Sequence, residues 1–248
     1  MMLTAMILIL LTGGALSWLV AKWNADLSKW IALISVSADF VLTTYWWFQF
    51  RAPVSSGTTW LIDFKTSWIP SFGIGFHLSM DGLSLVLLLL TFFLGILAVL
   101  CSWTEIKERT GFFYLNLLWT LAGISGVFIA MDLFLFYFFW EVMLVPMYFL
   151  ISIWGDSNRR YAAFKFFIFT QAGGLLMLLS ILALYFIHGQ QSGTYTFDYF
   201  DLLGTSPEPS AAGPSWISTT PSSPIRIRCA AISSTQQSAR QGCDLPFG

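Results

Sequence analysis

Six long apolar stretches restrict what this chain can fold into. Each holds about 19 residues or more, which as a helix covers roughly 30 Å and crosses the hydrocarbon core of a bilayer. Inside lipid, every backbone amide and carbonyl needs a partner within the protein, and a helix supplies these partners itself. The predicted spans cover residues 3–21, 30–48, 83–103, 111–130, 132–154 and 161–187. The sequence therefore predicts an all-α polytopic membrane protein with six transmembrane helices.

The composition agrees with a membrane protein and argues against several classes of function. Hydrophobic residues make up 56% of the chain, charged residues make up only 10%, and the mean hydropathy is +0.72. The net charge of −1 gives no electrostatic basis for binding nucleic acid. Cys101, Cys229 and Cys243 lack the spacing of a disulfide framework or a metal site, and we expect His77 and His188 to be isolated at the outer side. We therefore expect no metal site and no redox cofactor in this chain.

Basic residues are distributed unevenly among the loops between the predicted spans. The loops after spans one, three and five carry Lys22, Lys29, Lys107, Arg109, Arg159 and Arg160. The loop after span four has no basic residue, and the long loop after span two has only Arg51 and Lys65. Because positively charged loops stay in the cytoplasm, we predict that both chain ends face outward. The apolar N-terminus has no basic region before it, which indicates a retained first helix rather than a cleaved signal.

The long outer loop contains the signal of a β strand. Between residues 72 and 78, apolar residues alternate with glycine and histidine, which is the period of a half-buried strand. Asp81 and Gly82 then turn the chain into the third span, where Asp81 or Ser84 can cap the helix. Asp132 is placed to cap the fifth span. The sequence predicts a short β strand or hairpin on the outer side.

From residue 206 the composition changes. Segment 206–248 is rich in Ser, Pro, Ala and Gly and has no sustained apolar period. Such a segment cannot bury enough apolar surface to offset its conformational entropy, so we predict a disordered tail. The chain thus divides into a transmembrane bundle at residues 1–205 and an irregular tail at residues 206–248.

Glu141 lies near the centre of the fifth predicted span. An ionised, unpaired carboxylate at that depth costs several kcal/mol, so an intramembrane acid is a candidate functional residue. Tyr137 and Tyr148 fall close to the same helical face, and Pro146 predicts a kink that frees backbone carbonyls. Together these groups can hold water beside an acid whose charge responds to a nearby cation, as proton translocation requires. The alternative is a protonated glutamate that only holds two helices together.

Lys165 is the obvious cation, but its depth argues against a direct pair with Glu141. In a hairpin that turns at residues 155–160, Glu141 lies about 20 Å from the turn and Lys165 only about 8 Å. We expect Lys165 to reach the cytoplasmic surface or to line a hydrophilic entry path. Thr170 and Gln171 lie closer to the depth of Glu141, where they either hold water or form hydrogen bonds between helices.

Asp39 is a second acid inside an apolar span. It is flanked by Ser35, Ser37, Thr43 and Thr44. The sequence leaves two interpretations open: the acid is shielded from lipid by packing, or it lines water in a proton path.

Four segments carry a family resemblance: FYFFWEVMLVPMYFLISIWG, YAAFKFFIFTQAGGLLMLLSILAL, GFHLSMDGLSL and LAVLCSWTEI. They resemble the chain M or subunit 4 family of NADH–quinone oxidoreductase, the respiratory complex I. The resemblance covers residues 1–205, and its glutamate-centred motif is typical of the antiporter-like subunits.

This resemblance implies a proton-pumping membrane-arm subunit in a bacterial inner membrane. Glu141 matches the essential fifth-helix glutamate of the family, and Lys165 matches a sixth-helix lysine. The strand at residues 72–78 matches part of an outer-side hairpin belt that joins neighbouring subunits. NADH, FMN, iron–sulfur clusters and quinone are implied for partner subunits, and other membrane-arm subunits and the lipid bilayer are the implied partners.

The tail departs from the family. Its members are much longer and continue with further helices, including a broken helix whose lysine pairs with the glutamate. We therefore expect a truncated chain, with a change of reading frame after about Thr205. The alternatives are a subunit of a sodium/proton antiporter or membrane-bound hydrogenase, and, in a different class, a structural membrane protein or inactive fragment.

Overall fold

A computed structural model of the protein describes residues 2–49, 62–69 and 74–202. Within these ranges it contains six helices that are long and apolar enough to cross a membrane, as predicted. The helices are α1 (Met2–Val20), α2 (Ala25–Gln49), α3 (Gly82–Glu105), α4 (Thr110–Ile129), α5 (Leu133–Trp154), α6 (Arg159–Ser192) and the single turn α7 (Tyr199–Leu202). Residues 203–248 lie outside the described part, so the tail at 206–248 and the boundary at 205 stay predictions.

Local sequence sets where two of the long helices begin. The Asp81 carboxylate accepts a hydrogen bond from the Ser84 amide at 2.7 Å and caps α3. The Asp132 carboxylate accepts bonds from the Phe134 and Leu135 amides at 2.9 and 3.1 Å and caps α5. Both caps were predicted, because a short acidic side chain before an apolar run satisfies amides that have no helical partner.

The helices pack around α4, which is the most buried of the six spans. It contacts α1, α2, α3 and α5, whereas α6 packs on α5 at the edge of the bundle. Small residues allow close approach: Gly123 and Gly126 on α4 lie against Met143 and Phe139 on α5. The two glycines therefore mark the close contact between α4 and α5.

A two-stranded antiparallel hairpin joins α2 to α3. It consists of β1 (Ile62–Ile69) and β2 (Ile74–Met80), with Phe64 opposite Leu78 and Lys65 opposite His77. The predicted strand is confirmed from Ile74 onward, whereas residues 72 and 73 lie outside the described part. The prediction of a half-buried strand was wrong for residues 77–80, because both faces are buried there. His77 on the polar face of β2 lies against Asp198, in the segment that follows α6, and Leu78 forms a backbone bridge with Ala130, which follows α4.

Candidate functional site

Helix α5 carries Glu141 deep into the bundle. Eight residues separate it from Leu133 and thirteen from Trp154, which places it about 12 and 20 Å from the two ends of the helix. The chain stays helical through Pro146, whose ring removes one backbone hydrogen bond within α5. Glu141 is thus held at mid-membrane depth by an apolar helix that contacts α4 on one side and α6 on the other.

The Glu141 carboxyl group lies against the backbone of α6 at Gly174. A Cβ atom at position 174 would collide with Glu141 Oε1, so only a glycine leaves room for the acid here. Oε1 is buried and has no hydrogen-bond partner among the described residues. The hydroxyl group of Tyr137, one turn earlier on α5, lies beside the carboxyl group. A buried carboxyl oxygen without a hydrogen-bond partner is unfavourable, so the group needs either a bound proton or a hydrogen-bond donor.

The structure brings only some of the predicted site residues to Glu141. Lys165 is exposed and forms no ion pair within the described residues. It lies nine residues before Gly174 on α6, about 14 Å nearer the basic end, which agrees with the depth argument. Thr170 donates its hydroxyl proton to the Phe166 and Phe167 carbonyls at 2.8 and 3.1 Å.

Gln171 and Tyr148 both lie on the basic side of the contact between Glu141 and Gly174. Gln171 is half-buried and lies one turn from Gly174 on α6. Tyr148 lies seven residues beyond Glu141, about 10 Å toward the basic end, and its ring packs on Phe167 with centroids 5.6 Å apart. Tyr137 is therefore the predicted tyrosine beside the acid, and Tyr148 belongs to a different layer.

An open cavity of about 400 Å³ extends from the basic end of the bundle to Tyr148. Its walls come from Glu108, Arg109, Tyr148, Ser152, Ile153, Arg159 and Arg160. The cavity gives the basic end of the α5–α6 seam an open, positively charged mouth, with Tyr148 and Phe167 between it and Glu141. Its acidic member, Glu108, was not predicted, because it belongs to a loop and shows no pattern in the sequence.

A second polar cluster lies at the opposite end of the bundle. Asp198, which follows α6, accepts a hydrogen bond from Lys65 on β1 at 2.6 Å and lies 2.9 Å from His77 Nδ1 on β2. Burial opposes ionisation of Asp198, but the bonds from Lys65, the Phe200 amide and His77 outweigh it and hold its pKa below the ordinary value. The expectation that His77 is isolated was wrong, since it is buried against this carboxylate.

Backbone bonds extend this cluster into a small ladder. The Met131 amide donates to the His77 carbonyl at 2.9 Å, and the Tyr199 amide donates to the Met131 carbonyl at 3.1 Å. The Gly75 amide donates to the Asp132 carboxylate at 3.0 Å. The hairpin is thereby joined to the start of α5 and to the segment after α6, and so to both helices that form the Glu141 site.

Comparison with known proteins identifies the family of this arrangement. Residues 130–215, which include α5 and α6, match the family described as NADH:quinone oxidoreductase/Mrp antiporter, TM. NADH-quinone oxidoreductase subunit M of Pseudomonas aeruginosa is 51% identical over 219 residues, covering 84% of this chain. This chain belongs to the subunit M family. It spans only 43% of that relative's length.

Solved structures agree with assignment to the subunit M family. A chain of respiratory complex I from Thermus thermophilus with bound NADH superposes with a TM-score of 0.67 at 26% identity, covering 83% of this chain and 40% of the other. A chain of the Mrp complex from Dietzia sp. DQ12-45-1b gives a TM-score of 0.63 at 21% identity, covering 79% and 20%. The second likeness shows the fold alone. The predicted antiporter-like membrane fold is confirmed.

Proposed function

We propose that this chain is a proton-translocating membrane-arm subunit of a bacterial NADH–quinone oxidoreductase. Its part is to couple electron transfer from NADH to quinone with proton movement across the inner membrane. Its N-terminus faces outward, and its partners are the other membrane-arm subunits. The family membership supports this assignment, and the geometry around Glu141 supports the role of this segment in it.

The observation that carries the proposal is the buried, unpartnered oxygen of Glu141. A purely structural acid is expected to have its hydrogen-bonding capacity filled by its neighbours. Here the Tyr137 hydroxyl lies beside the carboxyl group, Gly174 leaves space, and Oε1 has no hydrogen-bond partner among the described residues. Such a group can gain or lose a proton when a cation or a water chain approaches.

Lys165, Thr170, Gln171 and Tyr148 take supporting roles in the proposal. Lys165 and Tyr148 lie on the basic side of Glu141, so they act on the path between the cytoplasm and the acid. Gln171 lies within one turn of the Glu141 contact and is placed to order water there. The positively charged cavity at Arg159 and Arg160 is the entrance of this path.

Redox chemistry is assigned to partner subunits. Within residues 2–49, 62–69 and 74–202, no group of three or more His, Cys, Asp and Glu side chains is arranged to hold a metal. The described donor set therefore does not fit an iron–sulfur cluster. In the partner subunits, NADH, FMN, the iron–sulfur clusters and quinone would supply the electron transfer that drives pumping. This chain binds and moves protons.

The test is a Glu141→Gln substitution in the assembled complex, measured in inside-out membrane vesicles. Glutamine keeps the size of the acid but cannot exchange a proton. We expect NADH-driven proton uptake to fall severely, while the amount of assembled complex in the membrane stays close to that of the wild type. Assembly is measured by native gel electrophoresis and pumping by a pH-sensitive dye.

Two controls sharpen this experiment. Glu141→Asp keeps an exchangeable proton and should retain part of the pumping. Asp26→Asn removes an exposed acid that pairs with Lys29 near the start of α2, and should leave pumping unchanged. Wild-type pumping by the glutamine variant would refute the proposal and support a packing role for Glu141.

The description of the matched family, which includes Mrp antiporters, favours one other function, a subunit of a sodium/proton antiporter. Both assignments use a membrane-embedded acid, but they differ in the driving force. Proton uptake that requires NADH and stops with a quinone-site inhibitor supports the oxidoreductase. Sodium-driven proton movement without NADH would support the antiporter instead.

A further inference from the structure

Asp39 on α2 is a buried acid that the Glu141 site does not use. Its residue exposure is 0%, and neither carboxyl oxygen has a hydrogen-bond partner among the described residues. It lies fourteen residues after Ala25 and ten before Gln49, about 21 and 15 Å from the two ends of α2. Asp39 is thus an acid in the membrane interior, inside a different part of the bundle from Glu141.

No described cation on the surrounding helices is placed to pair with Asp39. Helix α2 packs against α1, α3 and α4. Helices α1 and α4 contain no charged residue, and the only one on α3 is Glu105, its last residue. On α2 itself, Lys29 lies ten residues away, about 15 Å along the axis, and pairs with Asp26 at 3.0 Å. An ionised Asp39 would be a buried charge without a counter-ion, which is unfavourable in a membrane.

The neighbouring hydroxyl groups on the buried stripe of α2 cannot stabilise a carboxylate either. Ser35 donates its proton to the Ile31 carbonyl at 2.9 Å, and Thr43 donates to the backbone carbonyl of Asp39 at 2.7 Å. Each hydroxyl has one proton, so both oxygens remain only as acceptors. A carboxylate needs donors, whereas a carboxylic acid brings its own O–H group. The surroundings of Asp39 therefore favour the neutral acid.

We propose that Asp39 is a second membrane-embedded proton-binding site, which holds a proton at neutral pH and acts independently of Glu141. Its ligand is a single proton that converts the carboxylate into the carboxylic acid. Helix α4 separates the two acids, because it contacts α2 on one side and α5 on the other. The inference rests on the packing around α2 and does not depend on the function proposed above.

Infrared spectroscopy of the full 248-residue chain in lipid vesicles tests this proposal. The carbonyl stretching band of a protonated carboxylic acid is separate from the bands of carboxylates and amides. It also shifts when the side-chain carbon is labelled with carbon-13. With labelled aspartate, we expect a protonated-acid band near neutral pH that shifts with the label and is lost in Asp39→Asn. Asparagine has nearly the shape of the neutral acid and should preserve the fold.

Three further samples make the assignment specific. Asp26→Asn should keep the band, because Asp26 is exposed and ion-paired on the same helix. Glu141→Gln should keep it as well, since the two sites are independent. Asp39→Glu should move the band from the aspartate label to the glutamate label, which shows that position 39 itself carries the proton.

Two outcomes would overturn the proposal. One is the absence of a labelled protonated-acid band in the wild type near neutral pH, a result that needs no variant to fold. A band that persists in a folded Asp39→Asn variant would assign the proton to another aspartate.

Discussion

At the scale of single residues, Gly174 determines how closely the Glu141 carboxyl group approaches α6. A methyl group at position 174 would collide with Glu141 Oε1, whereas a methyl group at Gly173 would meet nothing within 4 Å. The two glycines are adjacent on the same helix, so they form a matched pair for testing the site.

We expect Gly174→Ala to displace the Glu141 carboxyl group and reduce proton translocation several-fold. Overpacking of this kind costs typically about 1–3 kcal/mol, and the side chain relieves it by moving away from α6. Gly173→Ala should pump as the wild type does, since alanine favours a helix by about 1 kcal/mol over glycine and here meets no neighbour. The measurement is NADH-driven proton uptake at equal complex content. Equal loss in both variants would show a general effect on α6 rather than an effect on Glu141.

At the scale of elements, the hairpin is held to the helices by a cluster that joins distant parts of the chain. Asp198 and His77 are 121 residues apart, and Asp198 and Lys65 are 133 residues apart.

The helices and their caps were predictable, because hydrophobic period and capping residues are local signals. The sequence predicted a strand or a hairpin without locating β1. The His77–Asp198 contact was not predictable, because the sequence of β2 does not show which later segment covers its polar face. The contact of Glu141 with Gly174 was not predicted, because the local sequence does not show which residue lies opposite the acid on the neighbouring helix.

We expect the hairpin to detach from this cluster in acid. The Lys65, Phe200 and His77 bonds hold the pKa of Asp198 below its ordinary value of 3.8. Its stabilising effect is therefore fully present above about pH 4 and is lost as the pH falls through the lower folded value. Hydrogen exchange of the amides of residues 74–80, followed by mass spectrometry, should show faster exchange as the pH falls below 4, after correction for intrinsic rates.

Substitution of the same residue separates this cause from general acid unfolding. Asp198→Asn should weaken the hairpin by about 1–2 kcal/mol near neutral pH and remove the acid-dependent step, because the amide has no charge to lose. Asp201→Asn is the control, since Asp201 is exposed and accepts a hydrogen bond from the Thr196 hydroxyl at 3.2 Å. An unchanged acid transition in Asp198→Asn would show that another group controls it.

At the scale of the whole bundle, the structure gathers the basic loops at one end. Lys22 and Arg109 line one cavity there, of about 510 Å³, and Arg109 shares a second cavity with Arg159 and Arg160. The hairpin, the start of α5 and the segment after α6 meet at the other end. This separation of charge supports the predicted orientation, in which the basic end faces the cytoplasm and the hairpin end faces outward.

Single cysteines introduced at Ser157 and Thr194 test this orientation, in a chain whose three native cysteines have been replaced by serine. Ser157 lies in the exposed turn between α5 and α6, and Thr194 lies in the exposed segment that follows α6. A membrane-impermeant maleimide should label position 194 in intact spheroplasts and position 157 only in inside-out vesicles. Because α6 runs between the two positions, they lie on opposite sides of the membrane if this helix crosses it. Labelling of position 157 from outside would invert the orientation, and labelling of both positions from one side would show that α6 does not span the bilayer.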